Sequence, residues 1–280
     1  MSNPNYRDLY RTSDGHLKLP FAHLGLFLRV NQTKVGPAEA RAIENMVQFL
    51  HSLFILARRL RNYLESYRPD SWTDVPFHEL FLDTQSLFLF VQQFLEDVAL
   101  ILRMALPHSQ RHQMPPAFRD LSKRLREKIL RADDPLKVFL DSEARWFNEI
   151  GNLRDDICHR TAFDKSREVT FPGLMDVLRA GGGKAPFASG ADLRSYIGGV
   201  FSRTLAFACA VEQFVYGQMA AQYPEQAIPL PPSYIVGENE IDLARISAEP
   251  QFLLGTIVMS MNRATLENLD YFLGLAENSR

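Results

Sequence analysis

A chain of 280 residues with 46% hydrophobic residues, 20 phenylalanines among them, has ample material for a large buried core, which excludes a disordered polymer. The formal net charge of −2 excludes a general polyanion binder, whose whole surface would be basic, so any contact with nucleic acid has to be local. Two cysteines, Cys158 and Cys209, with no CxxC pair, point to a reducing compartment and away from a thiolate zinc site. The opening segment MSNPNYRDLYRTSDG is polar and lacks the apolar stretch of a secretory signal. The most apolar run, residues 86–106, is interrupted by Gln92, Gln93, Glu96, Asp97 and Arg103 and reads as a core helix rather than a membrane span. The expectation is a soluble, cytoplasmic protein with no membrane partner.

Residues 1–35 read as an arm, with partial alternation over 16–35 that suits a short strand or an extended segment. Gly36-Pro37 then opens a long helix. In it Ile43, Met46, Leu50, Leu53, Ala57, Leu60 and Leu64 recur at three- and four-residue steps, the stripe of a helix packed lengthwise on another. A second helix, Pro76 to Leu106, is apolar nearly all round and therefore central. Pro107, Pro115 and Pro116 bound a loop, and a shorter basic helix follows over 117–131. Asp134-Pro135 starts a helical stretch reaching Arg160, with Trp146, Phe147, Ile150, Leu153 and Ile157 on one side. The pattern breaks over 162–190, where Arg167–Phe171 suits a strand. It resumes in a helix over Asp192–Gln222, gives way to a proline-rich stretch with strand character at Ser233–Val236, and ends in a helix over 262–276. No βαβ alternation is present. The fold class is mainly α: a bundle of four to five long helices with short accessory strands, the bundle proper covering 36–222 and residues 223–280 packing on the same domain.

Several chemistries are set aside. The run Gly181–Lys184 has Leu178 and Ala185 where a phosphate-binding loop needs glycine and a hydroxyl residue. His108 and His112 have the spacing of a helical metal pair, but flanking prolines place them in a loop without a nearby carboxylate. HExxH and Glu-x-x-His patterns are absent, so neither a metal nor a cofactor is expected. The basic helix places Arg119, Lys123 and Arg126 on one face, opposite Leu121, Leu125 and Ile129, and Arg58, Arg59 and Arg61 form a second basic cluster. A solvated face is the plainer account of such charges; phosphate contact by a local patch is the sharper one.

The segment Trp146–Arg160, WFNEIGNLRDDICHR, carries Arg154 and His159 separated by four residues. RNA can be cut without a metal when its 2′-hydroxyl is deprotonated to attack the adjacent phosphate and the leaving 5′-oxygen is protonated. A histidine titrating near neutrality can serve in either step, and an arginine can hold the phosphate and its added charge. On a regular helix five-residue spacing sets two side chains ~140° apart, so they converge only if the arginine reaches round or the helix restarts near Gly151-Asn152, with Asn152 as cap and Asp155 completing it.

This segment resembles the R-x4-6-H motif of the HEPN superfamily, helical bundles that include many toxin and antiviral ribonucleases. The arginine there is usually followed by a polar residue, here Asp155, and the motif follows two long antiparallel helices, as 37–67 and 76–106 would be. The resemblance covers residues 36–165. It implies a metal-independent endoribonuclease acting at a homodimer cleft, in a toxin–antitoxin or phage-defence setting. Arg154 and His159 would be the catalytic residues, Asp155 would support them, and Arg160, Arg119, Lys123 and Arg126 would contact RNA. Arg11–His16 and Arg103–His108 repeat the spacing, but only the Arg154 copy combines a polar next residue, a helical context and a late position in the bundle. Some family toxins carry tyrosine two residues after the histidine; here that residue is Thr161. The alternative is a non-catalytic helical interaction or scaffold protein with a protein partner, in which Arg154 and His159 are the polar edge of a core helix, pairing with Asp156 or Glu149.

Overall fold

A computed structural model describes residues 6–11, 20, 21, 24, 37–66, 75–159, 193–222 and 263–278, and among these residues it contains nine helices and no strand. In chain order they are α1 (Arg7–Tyr10), α2 (Pro37–Ser66), α3 (Val75–Ala105), α4 (His108–Arg111), α5 (Phe118–Lys128), α6 (Pro135–Ser142), α7 (Ala144–His159), α8 (Leu193–Gln222) and α9 (Arg263–Asn278). The mainly helical class is as expected. The three strand-like stretches lie outside the described residues, apart from Pro20, Phe21 and Leu24. Proline punctuation sets the limits of the long helices: α2 begins on Pro37, where a missing N–H costs nothing, and α3 stops short of Pro107.

Two local expectations are corrected. Residues 108–111, read as loop, form the single helical turn α4, with His112 at its C-cap. The stretch from Pro135 to His159, read as one helix, is two, broken at Glu143. Ser142 bonds back to the Phe139 carbonyl at 3.0 Å, and the Glu143 carbonyl accepts the Phe147 N–H at 3.1 Å to open α7. Each half then buries its own stripe: Leu136, Phe139 and Leu140 from α6, and Trp146, Ile150 and Leu153 from α7. The break coincides with a boundary between the chain's two compact units.

The first unit comprises Met1–His51, Phe94–Ser142 and Thr204–Arg263. Its core is a chain of rings centred on Phe207 of α8. That ring stacks on Phe139 at 5.4 Å and stands edge-on to Phe118 at 5.6 Å and Phe94 at 6.2 Å, the offset and edge geometries that the ring quadrupole favours. Phe94 stacks in turn on Phe49 at 4.5 Å and meets Phe21 at 6.0 Å. The arm is anchored at both of its described ends. Tyr6 packs on Phe139 at 4.9 Å and shares a hydrogen bond of 2.9 Å with Ser142, while the Leu24 N–H donates to the buried Glu212 carboxylate at 3.1 Å. Phe21 holds φ at 65°, a left-handed conformation that costs a bulky residue about 1–2 kcal/mol and is offset here by complete burial of the ring.

The second unit comprises Ser52–Gln93, Glu143–Arg203 and Ala264–Arg280. The Arg194 guanidinium donates to the Leu64 carbonyl at 2.7 Å and so satisfies an orphan acceptor in the last turn of α2. Arg61 reaches α9, donating to Asn268 at 3.4 Å and lying 4.6 Å from the centre of the Tyr271 ring. Asp83, buried on α3, is held by Arg59 at 2.7 Å; burial pushes its carboxyl upward, and the guanidinium offsets part of that. Phe272 of α9 packs on Phe201 of α8 at 5.2 Å, and the α9 backbone approaches Gly198 closely.

Candidate functional site

Helix α7 is positioned by two polar ties to α8 in addition to its apolar stripe. Immediately before its first residue the buried Glu143 carboxylate takes the Arg203 guanidinium at 3.0 Å. In its middle, Glu149 accepts a hydrogen bond from the hydroxyl of the buried Tyr196. As the α7 partners rise from 143 to 149, the α8 partners fall from 203 to 196, so the helices run antiparallel with about 9–10 Å between ties. Gly199 lies between Tyr196 and Arg203, where a Cβ atom would be 3.4 Å from the Arg203 Nη1; a larger side chain there would crowd the guanidinium.

Arg154 and Asp155 retain 42% and 46% of their side-chain exposure, and they pair with each other at 2.8 Å. A pair so open to water contributes about 0–1 kcal/mol to stability. The helix runs unbroken from Ala144 to His159, so there is no restart at Gly151-Asn152. Asn152 is an interior helical residue rather than a cap, and Asp155 is engaged by Arg154 rather than by a helix start. His159 is the last residue of α7, ~140° around the axis from Arg154. Its side chain, and Arg160, lie outside the described residues. Glu149, weighed in the sequence as a partner of Arg154 or His159, holds the Tyr196 hydroxyl.

The basic residues of α5 behave unequally. Arg119 and Lys123 are exposed, while Arg126 is half-buried with Asp141 of α6 at 3.7 Å, and Lys137 caps the Arg126 carbonyl at 2.9 Å. Arg119, Lys123 and Arg126 belong to the first unit; Arg154 and Asp155 belong to the second. In the second basic cluster Arg59 and Arg61 are tied to Asp83 and Glu65, at 2.7 and 2.8 Å, and Arg58 is exposed. Among the described residues no group of three histidine, cysteine or acidic side chains is placed to hold a metal.

The sequence reading did not single out Glu143, Tyr196 and Arg203. One signal was available: the Gly198-Gly199 pair inside an apolar helix marks a place that another backbone or a bulky group approaches closely. The Tyr196 phenol is held well above the usual tyrosine range, chiefly by burial and further by the neighbouring Glu149 carboxylate, with Arg203 partly opposing. A pKa raised in the folded state means the proton is bound more tightly there. The resulting stabilisation is complete below the unfolded value of about 10 and is lost as pH rises above it. Alkaline pH is therefore expected to lower the urea midpoint more steeply in the wild type than in Tyr196→Phe. Parallel slopes for the two proteins would show that the phenol does not ionise against burial.

Comparison with models of protein families, with curated proteins and with solved structures finds no match to this chain.

Proposed function

We propose that this chain is a HEPN-type, metal-independent endoribonuclease that acts as a homodimer, with Arg154 and His159 as its catalytic residues. The observation that carries this reading is the half-exposed Arg154 on a helix that ends at His159, in a chain whose two long helices α2 and α3 precede it. Arg154 would hold the scissile phosphate and the charge it gains in the transition state. His159 would take the 2′-hydroxyl proton as that oxygen attacks phosphorus. The 5′-oxygen leaves with a proton from His159 of a second copy, and the RNA is left with a 2′,3′-cyclic phosphate. With α7 unbroken, the two residues converge within one copy only if the long Arg154 side chain reaches round the helix. Asp155 would orient Arg154, and Arg160 with the exposed Arg119 and Lys123 would contribute phosphate contacts.

The test is incubation of the purified protein with a structured RNA in EDTA, beside the Arg154→Ala/His159→Ala variant. Wild-type cleavage leaving 2′,3′-cyclic ends is expected, with a loss of at least ~10²-fold in the variant at unchanged helical content. Cleavage that persists in the variant removes the mechanism. A second reading, a non-catalytic interaction protein with a protein partner, is favoured by a different observation. Leu82, Phe90 and Ile55 of the second unit remain 56%, 39% and 38% exposed. Absence of cleavage by a folded, dimeric wild type would favour that reading.

A further inference from the structure

The buried stripe of α7, Trp146, Ile150 and Leu153, holds the helix by burial alone, and burial is non-directional. An apolar stripe tolerates a small roll of the helix about its axis with little change in buried area. The two polar ties do not. If α7 slid by one turn, the Glu143 carboxylate would stay buried without its guanidinium, and the Tyr196 hydroxyl would lose its acceptor; both are costly to leave unmade. The ties also act together, because the Arg203 charge is felt at the Tyr196 phenol as well as at Glu143.

We infer that Tyr196 and Arg203 are positioning residues, which lock α7 to α8 in one register and thereby set the direction in which Arg154 and Asp155 face solvent. The inference rests on the ribonuclease reading for its consequence in catalysis and on geometry alone for the lock. Neither residue would touch RNA. Their influence travels along one rigid helix, from Glu149 to Arg154 over little more than a turn. Transition-state contacts are sensitive to displacements of about 1 Å, so a loosened α7 would lower turnover more than substrate affinity.

The experiment compares Tyr196→Phe, Arg203→Lys and Arg203→Met with the wild type by amide hydrogen exchange and by RNA cleavage kinetics. In Tyr196→Phe and Arg203→Met, exchange over residues 150–155 is expected to rise by at least ~10-fold while the α2 amides of residues 54–64 keep their protection. The same variants are expected to lose ~10-fold in kcat with KM within about twofold of wild type, and Arg203→Lys, which keeps the charge, should recover part of the loss. Unchanged α7 exchange in both variants overturns the lock, whether or not the chain cuts RNA. A loosened α7 with wild-type kcat overturns the positioning role. A wild type that does not cleave RNA defeats the ribonuclease reading instead, and the exchange result still decides the lock.

Discussion

Replacing Phe207 with alanine is expected to destabilise the protein by about 4 kcal/mol, near the upper end for a single core truncation. The ring is fully buried and touches three others, Phe94, Phe118 and Phe139, which come from α3, α5 and α6. Two terms add: the transfer free energy of the lost ring, and the cavity left between helices whose other side chains hold them apart. Aromatic pairing contributes a further part, about 0.5–1.5 kcal/mol per pair in favourable geometry. Phe207→Leu retains most of the volume and should lose less than about half as much. Urea unfolding checks this, since a stability change moves the midpoint and leaves the slope alone. A midpoint for Phe207→Ala within about 1 kcal/mol of wild type would mean that the ring cluster does not hold the first unit together.

Gly198→Ala is expected to cost about 2–3 kcal/mol, although alanine is the better helix former by about 1 kcal/mol. The added Cβ would stand 2.5 Å from the Phe272 carbonyl oxygen, 3.4 Å from its carbonyl carbon and 3.5 Å from the Ala276 nitrogen. All three are backbone atoms of α9, so no rotamer change relieves the overlap; α9 itself must move away, and Phe272 with it. Gly217 supplies the control on the same helix. It is exposed, a Cβ there meets nothing within 4 Å, and Gly217→Ala should stabilise by about 0.5–1 kcal/mol. Opposite signs for the two substitutions in one thermal unfolding series would confirm that close approach, rather than helix propensity, decides position 198. Equal signs would refute it.

The two substitutions mark the division between what local pattern can reveal and what it cannot. Helix limits follow from rules that act over a few residues: proline at a first turn, proline beyond a last one, apolar residues at three- and four-residue steps. For that reason α2, α3, α8 and α9 fall within a residue or two of where the sequence alone sets them. The mainly helical class was legible for the same reason. Arg154 and His159 were legible only as a spacing along one segment.

Tertiary structure decided the rest. The break at Glu143 is flanked by contacts from Tyr6, just before α1, to Ser142 and from Arg203 of α8 to Glu143, a partner 136 residues away in the first case. The register of α7 on α8 arises from Glu143–Arg203 and Glu149–Tyr196, pairings between residues about 50–60 positions apart that no local spacing marks. Arg126 looks equivalent to Arg119 and Lys123 on a helical wheel, yet Asp141 of the next helix claims it. Periodicity is a property of one helix. Pairing, burial of charge and close backbone approach are properties of two, and no spacing within either helix encodes them.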